Sequence, residues 1–151
     1  MDDEREIEAV LSGICSDERV QKMKEFVQHG KVSTYEHCKS VAKLSYKINK
    51  NLRLKSDLKV LLTGAMLHDF YLYDWHDFSD KSHSLHGIKH AERASRNAEK
   101  YFGVDKKTSR VIYCHMWPFN PLHLPTSREA WIVCVADKCA ALYETLFRRR
   151  G

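Results

Sequence analysis

Apolar residues recur at helical spacing along almost the whole chain. Val41, Leu44 and Ile48 share one face of "STYEHCKSVAKLSYKINKNL", and Val20, Met23, Phe26 and Val27 share a face after Asp17. The pattern predicts a first helix near residues 3–12, a second after Asp17, and a third opened by the capping-box pair Ser33 and Glu36. "SDLKVLLTGAMLHDF" is apolar on nearly every side, which predicts a central helix with Ser56 as its N-cap. Residues 70–83, "FYLYDWHDFSDKSH", lose the periodicity and read as a loop. "LHGIKHAERASRNAEKYF" is helical again and ends at a C-cap, Gly103. "DKKTSRVIYCHMW" follows as a helix stopped by Pro118. After the turn-rich "NPLHLP", Thr126 and Glu129 repeat the capping-box pattern before a long last helix, "SREAWIVCVADKCAALYETLFRRR". No stretch alternates with the two-residue period of a strand. The fold class is therefore all-α, a compact bundle of about six to seven helices.

Composition narrows the class without naming a function. At 151 residues, 43% hydrophobic and 11% aromatic, residues 1–151 suit a single domain with a proper core. No apolar run approaches the length of a membrane span. The start, "MDDEREIEAV", is acidic, unlike a signal or transit peptide, so the expected location is cytoplasmic. Five cysteines without a paired motif read as free and mostly buried thiols, with Cys134 and Cys139 assigned to the core. A net charge of +5, part of it in the tail "RRRG", suits an anionic small molecule as well as a polynucleotide. No aromatic-basic repeat supports a nucleic-acid partner. The unusual count is nine histidines, six of them within residues 68–115.

Placing the polar residues on the helices makes the histidines informative. His37 precedes Val41 by four positions and Leu44 by seven, so it faces inward. His115 follows Val111 and Ile112 on the inner face of its helix, and Asp137 interrupts the apolar stripe "WIVCVADKCAAL". His68 and Asp69 end the most apolar helix, and His86 begins the next. One buried imidazole needs no special explanation. A buried carboxylate costs several kcal/mol unless it is paired or holds a metal. Four imidazoles and two carboxylates on five helices are more simply explained if they converge, because together they form a donor set that suits transition-metal ions.

The order His37, His68-Asp69, His86, His115, Asp137 resembles the HD-domain superfamily of metal-dependent phosphohydrolases. The resemblance covers roughly residues 30–145, with the helices of residues 3–29 packed on that core. "STYEHCKSVAKLSY", "LHDF", "LYDWHD", "HGIKHAERA", "HMWP" and "ADK" look like a group of small single-domain bacterial HD proteins. By that resemblance His37, His68, Asp69 and Asp137 match the ligands of a first metal. Asp69 bridges to a second, and His86 and His115 complete the second site of binuclear members. Members that cleave cyclic dinucleotides carry paired histidines and a Gly-Tyr-Pro motif. This chain has His115-Met116 and no such motif, which argues against that activity.

The resemblance implies a phosphohydrolase, phosphomonoesterase or phosphodiesterase, that uses metal-activated hydroxide on a small phosphorylated substrate such as a nucleotide. It implies two divalent ions, with iron, manganese or zinc as the first choices and magnesium, nickel or cobalt also compatible. It leaves room for a homo-oligomer. Two other readings share the ligand set: a di-iron oxygenase and a non-catalytic sensor of nucleotide or metal. Lys138, one step past Asp137 on its helix, is the candidate catalytic cation beside His68 and Asp69. Lys81, His83, Lys89 and His90 are candidate rim groups for phosphate, with an ordinary solvated role as the plain alternative. Tyr71, Tyr73, Trp75 and Trp117 are candidates to stack on a base or wall the pocket, or simply to pack the core.

Overall fold

Eight consecutive buried residues, Val60 through Leu67, make up most of the helix around which the protein is arranged. A helix apolar on all sides has no solvent face, so other helices must enclose it. The computed structural model describes residues 2–72 and 86–148, with 86–88 and 148 by their backbone alone. In chain order its elements are α1 (Asp2–Cys15), α2 (Glu18–Gln21) running into a 3-10 turn, and a hairpin of β1 (Val27–His29) and β2 (Val32–Ser33). Then come α3 (Thr34–Asn51), α4 (Leu58–Leu67), α5 (His86–Phe102), α6 (Lys106–Tyr113) and α7 (Arg128–Tyr143). A wider π-helical turn, Glu144–Arg148, ends the described chain. The class is all-α as expected. α4 is the enclosed helix, packed by α3, α6, α1 and α7, while α5 packs on α6. α4 and α6 approach so closely that a Cβ on Gly64 would stand 2.6 Å from Val111 Cγ1. Among the described residues no helix is long and apolar enough to cross a membrane.

The chemistry of the caps explains most boundaries. Ser33 and Glu36 form the expected capping box at the start of α3. Gly103, at φ 58°, closes α5 in the left-handed conformation that glycine adopts without strain. Two expected caps move by one residue. Asp57, not Ser56, accepts from Val60 N to start α4, and Ser127, not Thr126, accepts from Ala130 N to start α7. The second capping box does not form, because the Glu129 carboxylate accepts from Asp57 N at 2.8 Å and pairs with Lys107 at 3.3 Å. That carboxylate joins the starts of α4 and α7 instead of capping its own helix.

Three further corrections concern length and burial. α6 ends at Tyr113 and the chain continues in turns, so His115 stands just past a helix end. Val27 is exposed because the chain leaves its helix at Glu25 and enters the hairpin, which the sequence pattern did not foresee. Cys38, Cys114 and Cys134 are buried, but Cys139 is exposed on the outer side of α7. The expected loop, residues 70–83, lies from residue 73 onward outside the described residues.

Candidate metal centre

Five elements bring these side chains to the same point. α3 carries His37 one turn after its cap, where the inward stripe of Val41 begins. His68 is the C-cap residue of α4 and Asp69 follows it, so the end of the enclosed helix delivers both into the interior. α5 contributes His90, the turn after α6 contributes His115, and α7 contributes Asp137. His37, His68 and His115 are buried to within 1% of full enclosure, Asp69 is 2% exposed and Asp137 9%.

The distances separate these groups into two sets that share one carboxylate. On one side, Asp69 Oδ2 stands 3.2 Å from His68 Nε2 and 3.8 Å from His37 Nε2. Asp137 Oδ1 stands 2.9 Å from His37 Nε2 and 3.3 Å from His68 Nε2. On the other side, Asp69 Oδ1 stands 3.4 Å from both His90 Nε2 and His115 Nε2, and those two nitrogens are 3.0 Å apart. The potential ligand atoms within each set lie inside 4.8 Å of one another.

The surroundings turn the imidazoles to face the centre. His68 Nδ1 donates to the Ala65 carbonyl and His115 Nδ1 to the Ile112 carbonyl, each at 2.6 Å. A proton held there leaves Nε2 with its lone pair directed inward. His37 Nδ1 donates to Glu144 Oε2 at 2.8 Å, and Gln28 Nε2 donates to Asp69 Oδ2 at 2.9 Å. The Gln28 carbonyl oxygen in turn accepts from Tyr71 at 2.7 Å. Yet His68 Nε2 and Asp69 Oδ1 are buried without a well-formed hydrogen bond. Buried polar atoms left in this condition are rare and costly. A divalent cation among the two sets would satisfy both, and neutral imidazoles with carboxylates are the donors such an ion takes.

Without metal, the charges settle as proton pairs. Burial opposes a charge on His37, but the hydrogen bonds to Asp137 and Glu144 outweigh it and raise the imidazole to about 10. Burial likewise opposes a charge on His68, and the Asp69 carboxylate raises it well above its usual value. For Asp69 and Asp137, burial works against ionisation, but the charge on His68 holds both carboxyls well below their usual range. His115 is lowered, first by burial.

These shifts set a pH dependence with opposite signs in the two states. In the metal-free chain, the raised His37 contributes stability that is complete below its usual 6.5 and is lost as pH climbs through about 10. The depressed aspartates contribute stability that is complete above the usual 3.8 and is lost as pH falls towards their lowered values. Metal binding must expel the protons on His37 and His68, so affinity rises with pH. Thermal melts of metal-free protein are expected to fall from about pH 7 to pH 10. Calorimetric titration with manganese is expected to show tighter binding at about pH 8 than at pH 6, with proton release into the buffer. Affinity that is flat or falling across that range would contradict the proton competition.

Several sequence expectations land elsewhere. The structure brings His37, His68, Asp69, His115 and Asp137 together. The His86 side chain lies outside the described residues, and His90, read from the sequence as a rim group, stands beside Asp69 and His115. The Lys138 ammonium donates to the His115 carbonyl at 2.8 Å and also reaches Cys134. It therefore contacts the peptide that carries a candidate ligand and stands apart from the ligand atoms. Tyr71 is buried and joins the Gln28 network. Trp117 packs edge-on against Trp131. Lys89 is exposed, while Tyr73, Trp75, Lys81 and His83 lie outside the described residues.

Sequence reasoning missed three groups: Gln28, His29 and Glu144. His29 on β1 stands edge-on to His37, with ring centroids 5.2 Å apart, and forms a cluster with His37 and Glu144. Glu144 had a usable signal. It follows Asp137 by seven residues and Ala140 by four, which places it on the same inward face. The hairpin residues had none, since strands this short carry no readable period.

Residues 34–142 match the family model described as HD domain. No curated protein and no solved structure matches the chain.

Proposed function

Because the chain belongs to the HD-domain family, a superfamily of metal-dependent phosphohydrolases, we propose that it hydrolyses a phosphoester of a small molecule, with nucleotides as the favoured class. The observation that carries this reading is the division of Asp69. Its two oxygens face two histidine sets, the arrangement expected of a carboxylate shared by two divalent ions. An ion bound there supplies a Lewis acid that brings the pKa of water towards neutrality and offsets phosphate charge.

The chain's own residues hold that chemistry in place. His37, His68, Asp69 and Asp137 form one ligand set, and Asp69, His90 and His115 form the other. The carbonyls of Ala65 and Ile112 keep the imidazole protons on the outer nitrogens, and Gln28 holds one oxygen of Asp69. Burial of these groups excludes bulk water and strengthens each electrostatic contact. The imidazole-rich set suits iron, manganese or zinc. The positive net charge supports an anionic substrate.

The test is a panel of nucleotides, sugar phosphates and phosphodiesters, assayed with manganese, iron and cobalt. Phosphate or alcohol release that depends on metal is expected. Oxygen consumption by anaerobically prepared di-iron protein, with no phosphate released from any ester, would replace this reading with the oxygenase one. Tight nucleotide binding without turnover would replace it with the sensor.

His90→Ala is expected to spare the ion on the His37 side and remove the other, so metal analysis falls from two ions per chain to about one. The reverse pattern, with loss in His86→Ala and none in His90→Ala, would assign the second site to His86.

A further inference from the structure

Between Trp131 and Phe147 no exposed residue carries a charge, in a chain whose residues are 30% charged overall. Asp137 and Glu144 are buried in the centre, and the Lys138 ammonium is tied to the His115 carbonyl. The outer side of α7 is instead apolar. Trp131, Val135, Cys139, Leu142 and Leu146 follow one another at steps of 4, 4, 3 and 4 residues, which keeps them on one side of a helix. Trp131 is 41% exposed, Val135 49%, Leu142 61% and Leu146 53%.

Phe119, 76% exposed, stands at the edge of this stripe, because the Lys138 ammonium on α7 lies 5.7 Å from its ring centroid. Phe147, 65% exposed, extends the stripe beyond the helix end. Together these residues present roughly 800 Å² of surface, about what each partner of a stable protein pair covers. A contiguous apolar surface of that size marks an interaction site.

Two features favour a second copy of this chain as the occupant. A twofold contact sets each residue against the same patch on its partner, so any charge near the axis opposes a like charge. A face whose exposed residues carry no charge tolerates such symmetry. It also offers nothing for a charged heterologous partner to complement. The stripe has a natural centre as well, since Cys139 lies eight residues after Trp131 and seven before Leu146.

We propose that this face is a homodimer interface, in which α7 packs antiparallel across α7 of a second copy about a twofold axis near Cys139. The arrangement sets the two Cys139 thiols against each other and brings Trp131 of each copy near Leu146 of the other.

Sedimentation of the wild-type protein is expected to give about twice the 17.7 kDa chain mass at micromolar concentration. A short bismaleimide is expected to link the dimer through Cys139, with the link lost in Cys139→Ser. Leu142→Glu combined with Leu146→Glu is expected to raise the dimer Kd at least tenfold while keeping the helical circular dichroism. A wild-type monomer, a dimer indifferent to both glutamates, or a dimer that does not cross-link at Cys139 would each overturn the proposal. So would a monomer that floats with anionic lipid vesicles, which would assign the face to a membrane surface. The cross-link is read on wild-type protein, so it decides the matter even if the double variant fails to fold.

Discussion

Asp69→Ala is expected to remove both ions and to lower hydrolytic turnover by roughly 10³-fold or more. Among the described residues, Asp69 is the group with one oxygen near His37 and His68 and the other near His90 and His115. Asp137 reaches only the first pair. Asp137→Ala should therefore release the ion on the His37 side, whereas Asp69→Ala removes an anionic donor from both sets. The variant leaves His90 and His115 with no anionic partner and the His37 side with Asp137 alone, so the charge of either ion is poorly compensated in a buried site. Alanine also leaves the Gln28 amide without its acceptor, which adds a cost of about 1–3 kcal/mol at the same place. Metal analysis of dialysed protein, with circular dichroism to confirm the fold, reads the outcome. Near-full occupancy in Asp69→Ala would rule out a shared carboxylate.

The residues that were legible in the sequence are those that break a strong pattern. His37 and Asp137 sit where helical spacing calls for apolar side chains, and both are buried as that spacing requires. His68 and Asp69 end the helix with the most continuous apolar run, which is why their burial could be anticipated. The choice between His86 and His90 could not be read in the same way. They stand one helical turn apart and share a face, so periodicity treats them alike. Depth along α5 is set by how the helix packs on α6, and that is tertiary information. The cap shifts have a similar origin. Glu129 fits a local capping box, but the start of α4 offers it a backbone donor at 2.8 Å, and that contact exists only once the helices are assembled. The hairpin that places Gln28 and His29 over the centre is too short to reveal itself by pattern.

Glu144→Ala is expected to weaken metal binding on the His37 side by about 10–100-fold while the chain stays folded. Glu144 is 2% exposed, and its Oε2 accepts from His37 Nδ1 at 2.8 Å while His37 Nε2 faces Asp137 at 2.9 Å. The carboxylate thus fixes which nitrogen keeps a proton and which is offered to the ion, and it makes the offered lone pair more basic. Glu144→Gln keeps the shape and an acceptor oxygen but loses the charge, so its affinity should fall between wild type and Glu144→Ala. Nitrogen-15 spectra of the metal-loaded protein provide the separate readout, with the His37 proton on Nδ1 in wild type and no longer fixed there in Glu144→Ala. A space-filling Glu144 predicts something else: Glu144→Gln binding metal as wild type does, and Glu144→Ala losing melting temperature with affinity unchanged. The two roles diverge because only an orienting carboxylate acts through the far nitrogen of the ring, where its effect is felt by the ion and not by the surrounding packing.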